Sequence, residues 1–285
     1  MHRKKTAERR PARRHSSHVN LAPLRRFFSW LGSRKALPVW LGGIIVCAVY
    51  VFLFYSLVNP YGSRWRAIFS STVALPEGYS ILGIDVSHHQ GIIDWDRLSA
   101  ATIGHVPVSF VFIKATEGET LIDRQFNENF YQARRQGIVR GAYHFFSPGV
   151  SPLEQARFYL RQVHLEPGDL PPVLDFETTG SLSANEIRKA ALQWLREVEE
   201  KVGAPPIIYT NLKFKETYFS TPEFDRYPLW IAHYYVPKLR YEGQWRFWQH
   251  TDRGRVDGIK GYVDLNTYNG SMYDLLRLCI EEDEE

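Results

Sequence analysis

Cysteine is almost missing from this chain: Cys47 and Cys279 are the two in 285 residues. One falls in an apolar run and the other near the C-terminus, on what the charge pattern makes different levels of the chain, so no disulfide is expected. Metal-ligand spacing is missing as well. His88, His89, His144, His233 and His250 include no helical His-x-x-x-His pair, and the adjacent His88 and His89 point to opposite faces if extended. Zinc asks for about three ligands in a defined spacing. No metal and no other cofactor is therefore expected, and these histidines read as packed or surface residues. Internal repeats are absent, and the one biased tract is the acidic tail, residues 281–285.

Acids are scarce at the start. Residues 1–36 hold eleven of the 35 Lys and Arg against one acid, Glu8, which leaves 24 bases facing 30 acids in the remainder, a net of −6. The cluster Arg3 to Arg14 lacks the interleaved aromatics of a single-strand nucleic-acid binder, and no nucleic acid is expected. The following residues, 37–58, run LPVWLGGIIVCAVYVFLFYSLV without a charge. Those 22 residues suffice to cross a hydrocarbon core of about 30 Å as a helix. A cleaved leader would show a shorter apolar region, about 7 to 15 residues, and a small-residue cleavage site. Both are missing. The basic flank keeps the N-terminus in the cytoplasm by the positive-inside rule. The expected organisation is a basic cytoplasmic segment (1–36), a single transmembrane anchor (37–58), a stalk with Pro60, Gly62, Pro76 and Gly78 (59–79), an exported folded domain (80–280) and the acidic tail. A monomer is expected.

The chain has 44% apolar residues and 14% aromatics, enough for a sizeable core. From residue 80, short apolar runs alternate with helical stretches: ILGIDVS (81–87), FVFIKAT (110–116), VRGAYHF (139–145), PVLDFE (172–177) and PIIYTN (206–211). Alternation of this kind predicts a parallel sheet covered by helices. Capping boxes are expected at Ser151–Glu154, with Pro152 at the first helical position, and at Ser183–Glu186. After Asn211, YPLWIAHY (227–234), QWRFWQHT (244–251) and YVDLNTYN (262–269) follow with too few residues between them for full helices. The prediction is an α/β fold, an irregular TIM-like barrel of five β/α units followed by three β-strands, with its site at the carboxyl ends of the strands.

The chemistry concentrates in PVLDFE, a strand ending in two acids, Asp175 and Glu177. Alternation puts both on one face, about 6 to 7 Å apart at the backbone, two strand rises of about 3.3 Å. Burial and mutual repulsion raise a carboxyl pKa, so one acid of such a pair stays protonated near neutrality and can protonate a glycosidic oxygen. Salt-bridged or helix-capping acids would give the same motif. Asp85 in GIDVSHHQG and Asp264 in YVDLN tilt the balance, because a closed barrel sets first and last strands side by side. Four acids expected at the carboxyl ends of strands 1, 4 and 8 would be costly without a function. Among aromatics at strand ends, Tyr143, Tyr209 and Trp230 are candidate platforms for the apolar faces of sugars.

These residues resemble the family 25 glycoside hydrolases, the Ch-type lysozymes, over about residues 81–270. The resemblance rests on GIDVSHHQGIIDWDRL, FVFIKATEG, DRQFNENFYQARRQGI, GAYHFFSP, PPVLDFE, PIIYTN, PLWIAHY, FWQHTDRGRVDGI and VDLNTYNG in that order. It implies cleavage of the β-1,4 bond between N-acetylmuramic acid and N-acetylglucosamine in peptidoglycan, with Glu177 as general acid, Asp175 its acidic neighbour, and Asp85 and Asp264 the further aspartates. Asp175 would orient the substrate's 2-acetamido group as an internal nucleophile or help a water attack directly. The expected place of work is the periplasm or cell-wall space, with the enzyme held at the membrane. Two other functions fit the same groove: a peptidoglycan-binding anchor that does not cut, and a chitin or N-acetylglucosaminide hydrolase. The related chitinase pattern has further aspartates upstream, where this chain has Val173 and Leu174.

Overall fold

The computed structural model describes residues 45–51 and 75–282. The chain divides into two compact units, 1–60 and 61–285. In the first unit residues 45–51 are helical. The remainder of the predicted 37–58 span lies outside the described residues, as do the basic segment, most of the stalk and the last three residues of the acidic tail. Among the described residues no helix is long and apolar enough to cross a membrane.

The second unit is built from runs of β-branched and aromatic residues that form short strands. In chain order they are β1 (Leu82–Val86), β2 (Val106–Glu117), β3 (Val139–Phe145), β4 (Val173–Asp175), β5 (Ile207–Asn211), β6 (Leu229–Ala232), β7 (Phe247–Gly254) and β8 (Val263–Tyr268). Helices follow the first five: α1 (Trp95–Ser99), α2 (Phe126–Arg135), α3 (Pro152–Gln162), α4 (Ala184–Val202) and α5 (Leu212–Tyr218). The final helix, α6 (Met272–Leu278), comes after β8. Neighbours pair in chain order from β1 to β8, and β8 then pairs with β1 to close the barrel. Two short strands, Thr102–Ile103 and Leu121–Ile122, add hairpin arms to β2. The expected five β/α units and three plain strands are therefore present.

Helix starts follow the local chemistry. At α4, Ser183 and Glu186 form the reciprocal capping box. At α3, Ser151 accepts from the Glu154 N–H, but the Glu154 carboxylate turns to Arg157 at 3.1 Å instead of back to Ser151. Only half of that expected box exists. Such caps are worth about 1 kcal/mol each.

One expectation on direction is overturned. Strands β1 to β7 run parallel, whereas β8 runs antiparallel to both β7 and β1. Asp264 consequently reaches the mouth from the amino end of its strand, opposite Asp85 in register. The physical reason is loop length: eight residues separate Gly254 from Val263, and a parallel crossover needs about a dozen or more.

Two apolar layers hold the unit together. The outer one packs the helices on the sheet, with Trp95, Phe130, Tyr159, Trp194 and Leu195 against Val111, Ile113, Leu174 and Ile208. The inner one fills the barrel with Phe110, Phe112, Val173, Ile207, Trp230 and Phe247, and α6 plugs the base with Leu275 and Cys279. Room for the phenylalanine rings comes from glycine. A Cβ on Gly83 would stand 2.5 Å from the Phe110 carbonyl, and one on Gly141 would stand 2.7 Å from the Phe112 ring.

Candidate active site

Above this apolar filling the inward positions turn polar, and a cavity opens at the carboxyl ends of β1 to β7. Asp85, Asp175, Glu177 and Asp264 all line it, with Lys114, Tyr143, Tyr209, Trp230, Tyr234 and Gln249. Asp85 comes from β1 and Asp175 is the last residue of β4. Glu177 lies two residues past the strand, so the predicted strand 172–177 is shorter than expected, yet both acids keep the same cavity face.

The four acids are not equivalent. Asp85 is buried and receives 2.7 Å hydrogen bonds from the amides of Gln249 and Asn266 on one oxygen, Oδ2. Burial pushes its pKa up to about 6, while those two donors and Asp264 hold it down. Asp264 is driven by burial and by the Asp85 charge up to about 9, so it stays protonated and hydrogen-bonds its neighbour. Glu177 is raised to about 7, first by burial and then by Asp85. Asp175 is raised by burial and by the charge of Glu177, against the pull of the Lys114 ammonium. Near neutral pH the Asp175–Glu177 pair therefore retains a proton. Its buried Asp175 Oδ1 has no hydrogen-bond partner, an acceptor position that something else must satisfy.

The aromatic candidates divide by exposure. Tyr143 is half-buried at the mouth. Tyr209 gives its hydroxyl to Gln249 Oε1 at 2.7 Å, where Tyr234 also donates at 2.6 Å. Trp230 is only 1% exposed, lies 4.2 Å from the Phe112 ring in a stacked arrangement and gives its N–H to Asn266 at 2.8 Å. It is floor more than platform.

Sequence reasoning did not place Gln249, Asn266 or Lys114 at the site, passed over Tyr234 among the strand-end aromatics and read His89 as a packed or surface residue. A signal existed for the two amides. Asn266 shares a face with Asp264, and Gln249 is its register partner on β7, so both are polar residues at inward positions of a filled barrel. Lys114 reaches Glu117 at 2.7 Å and lies 4.8 Å from the Phe145 ring centre. Among the histidines, His89 lines the cavity and His88 is bound to the buried Asp123 at 2.6 Å. His144 and His250 are pushed down to about 3 by burial and stay neutral. Among the described residues no group of acids, histidines and cysteines is arranged to hold a metal ion.

A barrel whose mouth gathers a protonated acid pair and a second, hydrogen-bonded aspartate pair has the equipment of a glycoside hydrolase. The comparisons with known proteins agree. The model for "Glycosyl hydrolases family 25" matches residues 84–259. Lysozyme M1 of Streptomyces globisporus is 34% identical over 225 residues, 73% of this chain and 74% of its own. The uncharacterized protein YegX of Escherichia coli K12 is 45% identical over 247 residues, 82% of this chain and 90% of its own. The crystal structure of a bacterial lysozyme from Streptomyces coelicolor superposes with a TM-score of 0.64 at 33% identity, covering 71% of this chain and 98% of that one. The chain belongs to family 25 of the glycosyl hydrolases.

Proposed function

We propose that this enzyme is a muramidase that cleaves the β-1,4 bond between N-acetylmuramic acid and N-acetylglucosamine in peptidoglycan, with Glu177 as general acid. The observation that carries this reading is the coupled pair at the end of β4, where burial lifts Glu177 to about 7 inside the cavity and leaves Asp175 Oδ1 unpartnered. Glu177 gives its proton to the departing glycosidic oxygen. Asp175 accepts the N–H of the 2-acetamido group, whose carbonyl oxygen attacks the anomeric carbon and expels the leaving sugar; water then opens the ring intermediate with Glu177 as base. Asp85, fixed by Gln249 and Asn266, supplies negative charge to the positive transition state, and Tyr143 supports a sugar ring.

The test is mass analysis of digests of purified peptidoglycan after borohydride reduction. Reduced muramic acid at the new ends is expected, and reduced glucosamine ends or cleavage of chitin alone would overturn the assignment. Retained β configuration in the first product, read by proton NMR, supports the acetamido route; the α anomer removes it.

The same proposal places the catalytic domain outside the cytoplasm, held by residues 37–58 as an uncleaved anchor and engaged in remodelling the wall within reach of its own membrane. Its support is the uncharged 22-residue run behind a basic flank. Release of the full-length chain by carbonate washing of membranes would remove the anchor.

A further inference from the structure

The connection from β7 to β8 stands at the catalytic mouth and is held rigidly there. Val256 is buried and Ile259 packs on the outer core. The Asp94 N–H donates to Gly258 O at 2.9 Å, Arg97 pairs with Asp257 at 2.5 Å, and Gln90 Nε2 donates to Tyr262 O at 3.3 Å. Gln90 follows His89, which lines the cavity, and Tyr262 precedes Asp264 by two residues, about 6 to 7 Å along an extended chain.

This fixed strap presents cations in a domain of net negative charge. Tyr262 is 50% exposed, with the Arg255 guanidinium 4.6 Å and the Arg253 guanidinium 5.6 Å from its ring centre. The acids close by are engaged elsewhere, Asp257 with Arg97 and Asp252 with the Tyr235 hydroxyl. Arg255 is exposed and makes no ion pair among the described residues. A guanidinium laid on an aromatic ring is pre-oriented and keeps its fork of donors for a carboxylate. Lys260 adds a further exposed cation to the same loop.

We propose that Arg255, stacked on Tyr262, forms a subsite for a carboxylate of the peptide stems that peptidoglycan carries on its muramic acid. The inference rests on the muramidase reading for its substrate and adds a reason why this mouth prefers an anionic, peptide-bearing glycan to a neutral one.

The test is co-sedimentation of the full-length chain, in mild detergent, with insoluble peptidoglycan before and after carbodiimide amidation of its carboxylates. Arg255→Gln is expected to weaken binding to untreated peptidoglycan by about fivefold, the scale of one exposed charge-assisted hydrogen bond. On amidated material, wild type and variant should bind alike, and Arg255→Lys should recover part of the loss on untreated material. Equal weakening on both materials, or none on either, overturns the subsite. In turnover, the same variant should raise KM on untreated peptidoglycan with kcat unchanged. Sedimentation needs no cleavage, so charge-dependent binding without released muropeptides supports the subsite while removing the hydrolase reading.

Discussion

The lower and upper halves of the barrel interior are built on the same strands and obey opposite rules. Below, Phe110, Phe112, Val173, Ile207 and Phe247 are fully buried in one apolar cluster, with the three phenylalanine rings edge to face. Each such side chain contributes about 1.5 to 3 kcal/mol through burial. Two residues further along β2, β4 and β7 stand Lys114, Asp175 and Gln249, with Asp85 on β1 beside them, buried polar groups that cost stability unless partnered. Asp85 has its partners; Asp175 Oδ1 does not. The contrast teaches that the floor supplies rigidity and the mouth spends some of it on a strained protonation state.

The sharpest way to separate the halves is Glu177→Gln. It should lower muropeptide release by at least about 100-fold, within the 10² to 10⁴ range of general acid catalysis, and leave the melting temperature unchanged or raised. A variant that still cuts peptidoglycan at the wild-type rate removes Glu177 from the chemistry. Phe112→Ala probes the floor: denaturant melts should show a loss of about 3 to 5 kcal/mol, while the pH profile of the surviving folded enzyme keeps its shape. Loss of activity without loss of stability there would erase the distinction.

The pH dependence follows from the mouth alone. Glu177 must be protonated to act, so kcat/KM should fall about tenfold per pH unit above about 7; a flat profile to pH 9 would contradict the assigned donor. Asp264 gives the smallest and most specific signal. Its carboxyl ionises at the ordinary 3.8 in the unfolded chain but only near 9 in the fold. The stability this group contributes is therefore whole below pH 3.8 and drains away as pH rises toward 9. Asp264→Asn keeps a hydrogen-bond donor toward Asp85 and cannot ionise, so its melting temperature should decline less between pH 5 and 9 than that of the wild type. Parallel curves would show that Asp264 is ionised in the native mouth.

Much of this is legible in the sequence. Short apolar runs marked all eight strands, and strand ends marked Asp85, Asp175 and Glu177, because a filled barrel permits polar residues only where it opens. Direction was less visible, since alternation is identical in both senses; only the eight-residue spacing before Val263 carried it, and Asp264 was placed at the wrong end of its strand for that reason. Gln249 and Asn266 escaped because an amide looks alike in sequence whether it braces a carboxylate or faces solvent. At Trp230 the sequence showed a strand-end aromatic but not that Phe112 stacks on its ring and Asn266 takes its N–H.

The reversed last strand has one more consequence. Because β8 descends while β1 ascends, Leu82 and Thr267 sit side by side at the base, and the backbone of Tyr268 bonds to Ile81 at 2.9 Å. Both ends of the catalytic fold thus leave through the underside of the cup. A tag or fusion partner joined beyond α6, which closes that side, therefore hangs away from the opening.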